Sequence, residues 1–280
     1  YLQNLTTAEK ESGNPYPVQK FNFRLLPALK ISLNDISFFV DNTSGRLHTP
    51  LAHLKSELRQ FISYEGETLV SIDIVNSQPF FATALLDDTL FINNGMDISY
   101  NSYLGSPPYN PIMVVDLIKS KKECNDVRCF NEIVRNGTFY EEFAQLISNN
   151  ELSEQEILEK RSEVKKIVFS AFFSPNQSIS YNEELRVFKK TFPNVYDIFS
   201  HFKRVDHTIL AKMLQRLESQ TILHKVCKRI SLENPNVPIF TIHDSIVTTS
   251  NNVEFVNKVF SDVLKENLGY SPEFEIKEWK

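Results

Sequence analysis

The stretch IFTIHDSIVTT, residues 239–249, decides the fold, because it has the pattern of a β-hairpin with an acid at its tip. Two β-rich runs, 239–242 and 246–249, flank a polar break of His243, Asp244 and Ser245. Such a pattern predicts a strand, a tight turn and a second strand. Asp and Ser are ordinary turn residues, because their side chains bond nearby backbone groups. A chemical role for Asp244 as a metal ligand therefore requires a second carboxylate close by.

Asp73 is the candidate partner. It lies near the end of ETLVSIDIV, residues 67–75, a β-rich segment in which Leu69, Ser71 and Asp73 share one face. Two carboxylates on neighbouring strands form a divalent-metal site, and oxygen ligands favour Mg²⁺ over zinc. Two such ions about 4 Å apart activate an attacking oxygen and stabilise a leaving one, as in nucleotidyl transfer. The alternative is structural: Asp73 caps the following helix and Asp244 is a turn residue.

A third element lies on the longest predicted helix, SEQEILEKRSEVKKIVFSAFF at 153–173. Arg161, Lys165, Phe169 and Phe173 recur there at steps of four, so they line one broad helix face. Two cations followed by two aromatics suit a nucleoside triphosphate, with the cations on the phosphates and an aromatic against the base. The alternative is an amphipathic surface helix with no ligand.

The composition fits a folded protein with a large core. The chain has 280 residues, 41% hydrophobic residues, 22 Phe and a formal charge of −5. The three cysteines do not suit a disulfide scaffold and indicate a reducing compartment, so we expect a cytoplasmic protein. No apolar run approaches the ~20 residues of a membrane span, and no signal peptide is visible, so we expect no membrane partner.

The periodicity along the chain predicts an α+β fold, with a small antiparallel sheet among many helices. Residues 1–20 are polar and turn-rich and predict an arm or linker, and 93–111 predict a loop. Further helices are predicted at 139–149, 181–204, 206–231 and 253–267.

Together, and in this order, the three elements resemble the palm and fingers of the family A, or single-subunit, polymerases. This group includes bacterial DNA polymerase I and the phage and mitochondrial RNA polymerases. LVSIDIVNSQPF resembles motif A, RSEVKKIVFSAFF resembles motif B, and TIHDSIV resembles motif C. Weaker similarities cover 42–59, which contains the Gly-Arg-Leu of the DNA polymerases, and the helix that precedes motif C. The resemblance extends over about 42–250.

The resemblance implies a role for each matching residue. Asp73 and Asp244 would be the catalytic metal ligands for two Mg²⁺ (or Mn²⁺) ions. Lys165 would be catalytic and, with four further residues, would bind the nucleotide: Arg161, Lys165, Phe169, Phe173 and Gln78. Three others would contact primer or template: His243, Arg46 and Gln215.

Several positions depart from the family pattern and bear on the choice between DNA and RNA. Gln78 stands five residues after Asp73, where the DNA enzymes usually carry a Glu steric gate and the RNA enzymes Gly. Ser245 follows the motif C Asp as in the RNA enzymes, whereas Phe173 and Gly45-Arg46-Leu47 favour DNA. Ser174 replaces the usual Gly after motif B. The balance favours deoxynucleotides.

The resemblance also implies an organisation and a set of partners. It divides the chain into an arm or thumb remnant (1–41), palm with motif A (42–92), fingers with motif B (93–204), and palm with motif C plus a C-terminal helix (205–280). The expected partners are nucleoside triphosphates, primer-template nucleic acid and a possible subunit supplying a thumb or template-binding domain. A bacterial, phage or mobile-element origin fits best. The alternatives are an RNA polymerase, a catalytically silent palm that binds nucleic acid, and an unrelated α+β protein.

Overall fold

The structure, a computed structural model, describes residues 1–92, 111–148 and 151–280. It is mostly helical with two small antiparallel sheets, so the predicted α+β class is confirmed. Its strands are β1 (Phe39–Val40), β2 (Leu47–His48), β3 (Ser63–Tyr64), β4 (Glu67–Ile74), β5 (Phe240–Ile242), β6 (Ser245–Thr249) and β7 (Phe274–Glu278).

The helices in the first half of the described chain are α1 (Leu2–Glu11), α2 (Pro17–Ser32), α3 (Pro50–His53), α4 (Ser56–Arg59), α5 (Ser77–Ala84), α6 (Thr89–Ile92), α7 (Pro111–Lys121), α8 (Asn125–Arg135) and α9 (Phe139–Leu146). Those in the second half are α10 (Glu154–Phe173), α11 (Glu183–Thr191), α12 (Pro193–Phe202), α13 (Thr208–Ser219), α14 (Lys228–Glu233) and α15 (Val253–Leu268). None of the described helices is long and apolar enough to span a membrane.

The chain forms two compact units. The first unit contains Tyr1–Asp73, Ser219–Phe260 and Glu275–Lys280, and the second contains Ile74–Glu218 and Ser261–Phe274. The first unit holds the five-stranded sheet, whose order is β3-β4-β6-β5 with β7 also paired to β4. The second unit holds α10.

The sheet of the first unit brings β4 against the hairpin formed by β5 and β6. β4 and β6 are antiparallel, and Leu69 pairs with Thr249 at one end while Asp73 pairs with Ser245 at the other. The strand pairing that the palm resemblance predicts is therefore present. Directly opposite residues share a face, so Leu69, Asp73 and Val247 lie on the same side of the sheet. The apolar core on that face contains Leu69, Ile242, Val247 and Trp279.

The second unit has an aromatic core, as the high Phe content suggests. Phe130 makes edge-on contacts with the rings of Phe139, Phe192 and Phe199. Such edge-to-face pairs add about 0.5–1.5 kcal/mol each beyond the area they bury. This core holds α8, α9, α11 and α12 together.

The N-terminal residues differ from the prediction of an arm or linker, because they form α1 and α2. Pro17 opens α2 at its first position, where the missing N–H costs nothing. Arg24 donates to Glu9 of α1 and to Glu57 of α4, both at 3.0 Å. These long-range ion pairs connect α2 to α1 and α4, and a local reading of the sequence cannot find them.

Other boundaries also differ. The segment predicted as one helix at 181–204 is split, because Pro193 ends α11 and begins α12. The segment predicted as 206–231 contains a π-helical stretch, Gln220–Cys227, between α13 and α14. The predicted α10 and its capping box, in which Ser153 and Glu156 bond reciprocally, are confirmed. Most of the predicted loop at 93–111 lies outside the described residues.

Candidate active site

Asp73 lies at the carboxyl end of β4, with hydroxyl groups on two sides. The Ser245 hydroxyl on β6 donates to Asp73 Oδ1. The Ser71 hydroxyl, two residues earlier on the same face, lies 3.4 Å from Asp73 Oδ2. The Asp73 side chain keeps 25% of its accessible surface. It is thus a fixed carboxylate that solvent still reaches.

The hairpin turn places Asp244 directly before Ser245, the residue of β6 that pairs with Asp73. His243 and Asp244 form a two-residue connection, because Ile242 pairs directly with Ser245. The sequence pattern placed Ser245 in the polar break of the hairpin, but the structure corrects this, because Ser245 is the first residue of β6. His243 has φ of 54°, in the left-handed region that non-glycine residues rarely occupy. Strained residues of this kind often occur at functional sites.

Lys277, on β7, is a site residue that the sequence analysis missed. Its ammonium Nζ lies 3.9 Å from Asp73 Oδ2 and 2.7 Å from a carboxylate oxygen of Glu275. Both partners are solvent-accessible, so the interaction with Asp73 is a weak one. It nevertheless places a positive charge beside the carboxylate that the sequence nominates as a metal ligand.

The hairpin tip has a basic environment. Partial desolvation lowers the pKa of His243, and Coulombic interactions with Arg46 and other basic side chains lower it further. Arg46 is thus one of the basic side chains that act electrostatically on His243, and both residues are predicted primer or template contacts.

Arg46 is held by a loop that Asp41 organises. Asp41 accepts from the Ser44 backbone amide at 2.6 Å and from the Arg46 amide at 3.2 Å. Burial opposes its ionisation, but hydrogen bonds from Ser44, His48 and Thr43 hold its pKa well below the ordinary value. The adjoining Gly45 has φ of 68°, and a Cβ there would lie 3.0 Å from the Ser219 hydroxyl. Only glycine suits this position.

In the second unit, α10 presents the predicted nucleotide-binding cations around one ring. The guanidinium of Arg161 lies 5.8 Å from the Tyr140 ring centre, and the Lys165 ammonium lies 5.6 Å from it. Arg161 Nε is also 3.6 Å from a carboxylate oxygen of Glu141. Burial raises the pKa of Tyr140 to about 12, so the ring stays neutral. Neither Tyr140 nor Glu141 was identified from the sequence.

The two aromatic residues predicted on the same face of α10 contact each other. Phe169 and Phe173 stack with ring centres 5.6 Å apart and planes 25° apart. The last turn of α10 is clamped by Lys203, whose ammonium donates to the backbone oxygens of Ala171 at 2.6 Å and Ser174 at 3.1 Å. This buried lysine, which periodicity could not identify, fixes the helix end that carries Phe173.

Gln78 is held in place by a buried carboxylate. Its side-chain Nε2 donates to Glu218 Oε2 at 2.8 Å, and its Oε1 is buried without a hydrogen-bond partner among the described residues. Asn76, two residues earlier, adopts φ of 55° and donates to the Gly137 carbonyl at 2.9 Å. Gln215, the remaining predicted contact, lies on α13 and is partly exposed.

The donor chemistry around Asp73 fits a divalent cation. The solvent-exposed carboxylate of Asp73 and the adjacent serine hydroxyls provide hard oxygen ligands, the type that Mg²⁺ and Mn²⁺ prefer. Within the described residues, no group of three or more His, Cys, Asp or Glu side chains forms a complete metal cage. Mg²⁺ typically keeps several waters and takes its other ligands from substrate phosphates, so a two-carboxylate site suffices.

Comparison with known proteins gives no match by sequence and only a weak likeness in structure. No family model and no curated protein matches the sequence. Among solved structures, the chain is similar to the POL domain of Pol1 from M. smegmatis in complex with DNA primer-template and dNTP, with 13% sequence identity and a TM-score of 0.40. The match covers 99% of this chain and 55% of that one, so this chain spans about half its length. A likeness of this strength leaves the function to be argued from the residues themselves.

Proposed function

We propose that the protein is a metal-dependent nucleotidyltransferase that extends a nucleic-acid 3′ end, as a minimal DNA polymerase similar to family A. One observation carries the proposal: β4 and β6 pair so that Asp73 faces Ser245, the residue directly after Asp244. The sequence contains this acid pair in the order and context of motifs A and C. If the two short motifs resembled motifs A and C only by chance, there would be no reason for their strands to pair in this register.

In this proposal Asp73 and Asp244 hold two Mg²⁺ or Mn²⁺ ions. Such ions, when bound, lower the pKa of an attacking hydroxyl and neutralise charge on the leaving phosphate oxygens. The protein's own contribution is to fix the ligands: the Ser245 and Ser71 hydroxyls orient the Asp73 carboxylate through its two oxygens. Arg46 and His243 supply positive charge for the primer or template backbone, and Gln215 is a further contact.

The triphosphate is assigned to α10. Arg161 and Lys165 neutralise the phosphates, and Lys165 protonates the departing pyrophosphate. Phe173 stacks against the incoming base, with Phe169 supporting its ring from the preceding turn. Lys203 acts indirectly, because it holds the carbonyl groups on both sides of Phe173.

Gln78 is assigned to sugar selection. Its contact with Glu218 fixes the amide nitrogen, and its Oε1 is buried without a hydrogen-bond partner among the described residues. The fixed side chain crowds a ribose 2′-OH, but Oε1 can also accept a hydrogen bond from it. We therefore expect a preference for deoxynucleotides that is incomplete, since steric contact alone discriminates by ~1–3 kcal/mol. An RNA polymerase is the second candidate, favoured by Ser245 after the motif C acid.

The wider assignments belong to the same proposal. Residues 42–92 and 205–280 would serve as palm, 93–204 as fingers and 1–41 as a thumb remnant. Primer-template nucleic acid and nucleoside triphosphates would be the partners, with a separate subunit supplying a thumb where needed. The cytoplasm of a bacterium, including one carrying a phage or mobile element, is the expected location.

Primer extension with dNTPs or rNTPs and Mg²⁺ or Mn²⁺ tests the proposal. We expect extension that is lost in Asp73→Asn and in Asp244→Asn, because an amide is a poor ligand for these ions. Asp116→Asn is the matched control, since Asp116 is exposed on α7. Primer binding without extension under all conditions would favour the silent palm. Extension that survives both substitutions would refute the assignment of the acids.

A further inference from the structure

The N-terminal part of the first unit contains a groove that the proposed catalytic residues do not use. It has a volume of about 880 Å³ and lies among α2, β1, β2 and α3. Its lining combines three aromatic rings with four cations and two histidines: Phe23, Phe38 and Phe39; Lys20, Arg24, Lys30 and Lys55; His48 and His53. No Asp or Glu occurs among the lining residues that the structure describes.

The phenylalanines of this groove are exposed to solvent. Phe23 keeps 75% of its accessible surface, Phe38 72% and Phe39 60%. Three large aromatic side chains in such a position lose the hydrophobic stabilisation that burial would provide. Clustered exposure of this kind marks an interaction site more often than a structural surface.

Three rings of the groove already form a stacked column. Phe39 and His48 lie 4.7 Å apart at an interplanar angle of 11°, and His48 and His53 lie 5.6 Å apart at 21°. Flat rings held nearly parallel provide a platform on which further planar groups can stack.

The positive charge of the groove favours a polyanionic ligand. Arg24 is committed to Glu9 and Glu57, and Lys20 lies 3.8 Å from Glu9. Lys30 and Lys55, in contrast, form no ion pair within the described parts of the chain. A neutral hydrophobic partner would have to desolvate these charges without compensation. A phosphate backbone compensates them.

We propose that this groove binds single-stranded nucleic acid, with bases stacked on Phe23, Phe38 and the Phe39 column and phosphates on Lys30 and Lys55. Alternating aromatic faces and cations are the chemistry by which proteins hold single strands without reading sequence. Duplex nucleic acid does not fit, since its bases are already stacked on one another and offer no free faces. The site goes beyond the proposed polymerase chemistry and lies in one unit alone.

Binding of a fluorescein-labelled oligothymidylate, followed by anisotropy in EDTA without nucleoside triphosphates, tests the groove apart from catalysis. The Phe23→Ala/Phe38→Ala variant should bind about 30-fold more weakly or worse, because two stacking contacts of about 1–3 kcal/mol each are lost. Leu232→Ala, an equally exposed apolar residue outside the groove, should bind like wild type. Wild-type affinity in the double Phe variant would overturn the proposal.

The charge contribution has its own readout. Lys30→Gln/Lys55→Gln should reduce the slope of log affinity against log salt by about 1.4, the value for two lost phosphate contacts on a single strand. Lys258→Gln, an exposed lysine outside the groove, should leave the slope unchanged. An unchanged slope in the double Lys variant, or full displacement of the oligothymidylate by equal duplex, would refute single-strand binding here.

Photo-crosslinking of the wild-type chain to a 5-iodouracil oligonucleotide removes any dependence on variant folding. Crosslinks should map to Phe23, Phe38 or Phe39, and crosslinks confined to other parts of the chain would overturn the assignment. Binding of the oligonucleotide without primer extension would support the proposed groove and refute the proposed polymerase activity. Primer extension, combined with unchanged oligonucleotide binding in the groove variants, would support the polymerase activity and refute the groove.

Discussion

Asp73 and Ser245, 172 residues apart in sequence, face each other across β4 and β6, and the serine hydroxyl donates to the aspartate. A hydrogen bond to a charged group contributes about 1.5–3 kcal/mol, so this contact strongly fixes the carboxylate. We predict that Ser245→Ala lowers kcat/KM for primer extension by about tenfold or more, because Asp73 loses its fixed orientation. Ser250→Ala, which removes an exposed hydroxyl near the other end of β6, is the control. Equal activity of the two variants would contradict the prediction.

The position of Lys277 predicts a competition between its ammonium and the metal ion. Lys277→Gln removes a positive charge 3.9 Å from Asp73 Oδ2, so the cation should bind more tightly. We expect the Mg²⁺ concentration for half-maximal extension to fall about two- to fivefold, as for a solvent-exposed charge pair. Lys280→Gln, also near the end of the chain, controls for net charge. A higher Mg²⁺ requirement in Lys277→Gln would instead assign the lysine a role in substrate binding.

The neighbouring residues Lys165 and Lys166 on α10 form a matched pair for testing triphosphate binding. Both are exposed, so replacing either with Ala should change the free energy of unfolding by no more than about 0.5 kcal/mol. Lys165→Ala should reduce kcat/KM for the nucleotide by about 100-fold, because it removes a cation from the developing charge. Lys166→Ala should leave it nearly unchanged. Similar losses in both variants would remove Lys165 from the site.

The bond between Gln78 and Glu218 predicts how sugar choice can be altered. Gln78→Gly should raise the ratio of ribonucleotide to deoxynucleotide incorporation by about 10- to 100-fold, because the steric obstacle disappears. Gln78→Glu would place two carboxylates together, raise the pKa of one of them and disturb the gate. Single-nucleotide kcat/KM values for matched dNTP and rNTP provide the measurement. A wild type that prefers rNTPs, with an unchanged ratio in Gln78→Gly, would favour the RNA polymerase alternative.

The burial of Lys203 predicts that the free energy of unfolding depends on pH. Burial lowers its pKa in the folded protein to about 8, whereas an unfolded lysine titrates near ~10.4. Between these values the unfolded chain binds a proton that the folded chain does not, so the free energy of unfolding rises with pH. From about pH 7.5 to about pH 9.5 the rise due to Lys203 is about 2 kcal/mol.

Urea unfolding at the two pH values, in wild type and in Lys203→Met, isolates this contribution. Other groups titrate in both proteins, including Cys227, whose pKa burial raises to about 12, so their effects cancel in the comparison. Lys203→Met should lack the rise. The same pH dependence in both proteins would show that Lys203 is not the responsible group.

Local patterns in the sequence were sufficient to predict some structural elements, but not the tertiary contacts of the candidate site. The alternation in β4, the turn at His243 and the capping box at Ser153 depend on neighbouring residues, and the structure contains all three elements. The partners of the candidate site are different, because Glu218 and Lys277 reach Gln78 and Asp73 only through the tertiary fold. Nothing in their local sequence distinguishes them from surface charges.

The N-terminal helices illustrate the same limit. Their apolar residues are largely exposed, so the hydrophobic period that normally indicates a helix is weak. The contacts from Arg24 to Glu9 and Glu57 compensate for this weakness. Short-range propensity contains no information about such pairs.

The position of β4 within its sheet has a consequence for how the protein is made. Its neighbours β6 and β7 are separated from it by most of the chain, so contacts of very long sequence separation must form before the strand is fully paired. During translation, a chain that has not yet reached Phe274 presents one edge of β4 with unpaired backbone groups and apolar side chains. Such an edge readily recruits strands from other molecules. Synthesis at low temperature, or with abundant chaperone, should therefore raise the yield of soluble protein more than any substitution of Asp73 or Asp244.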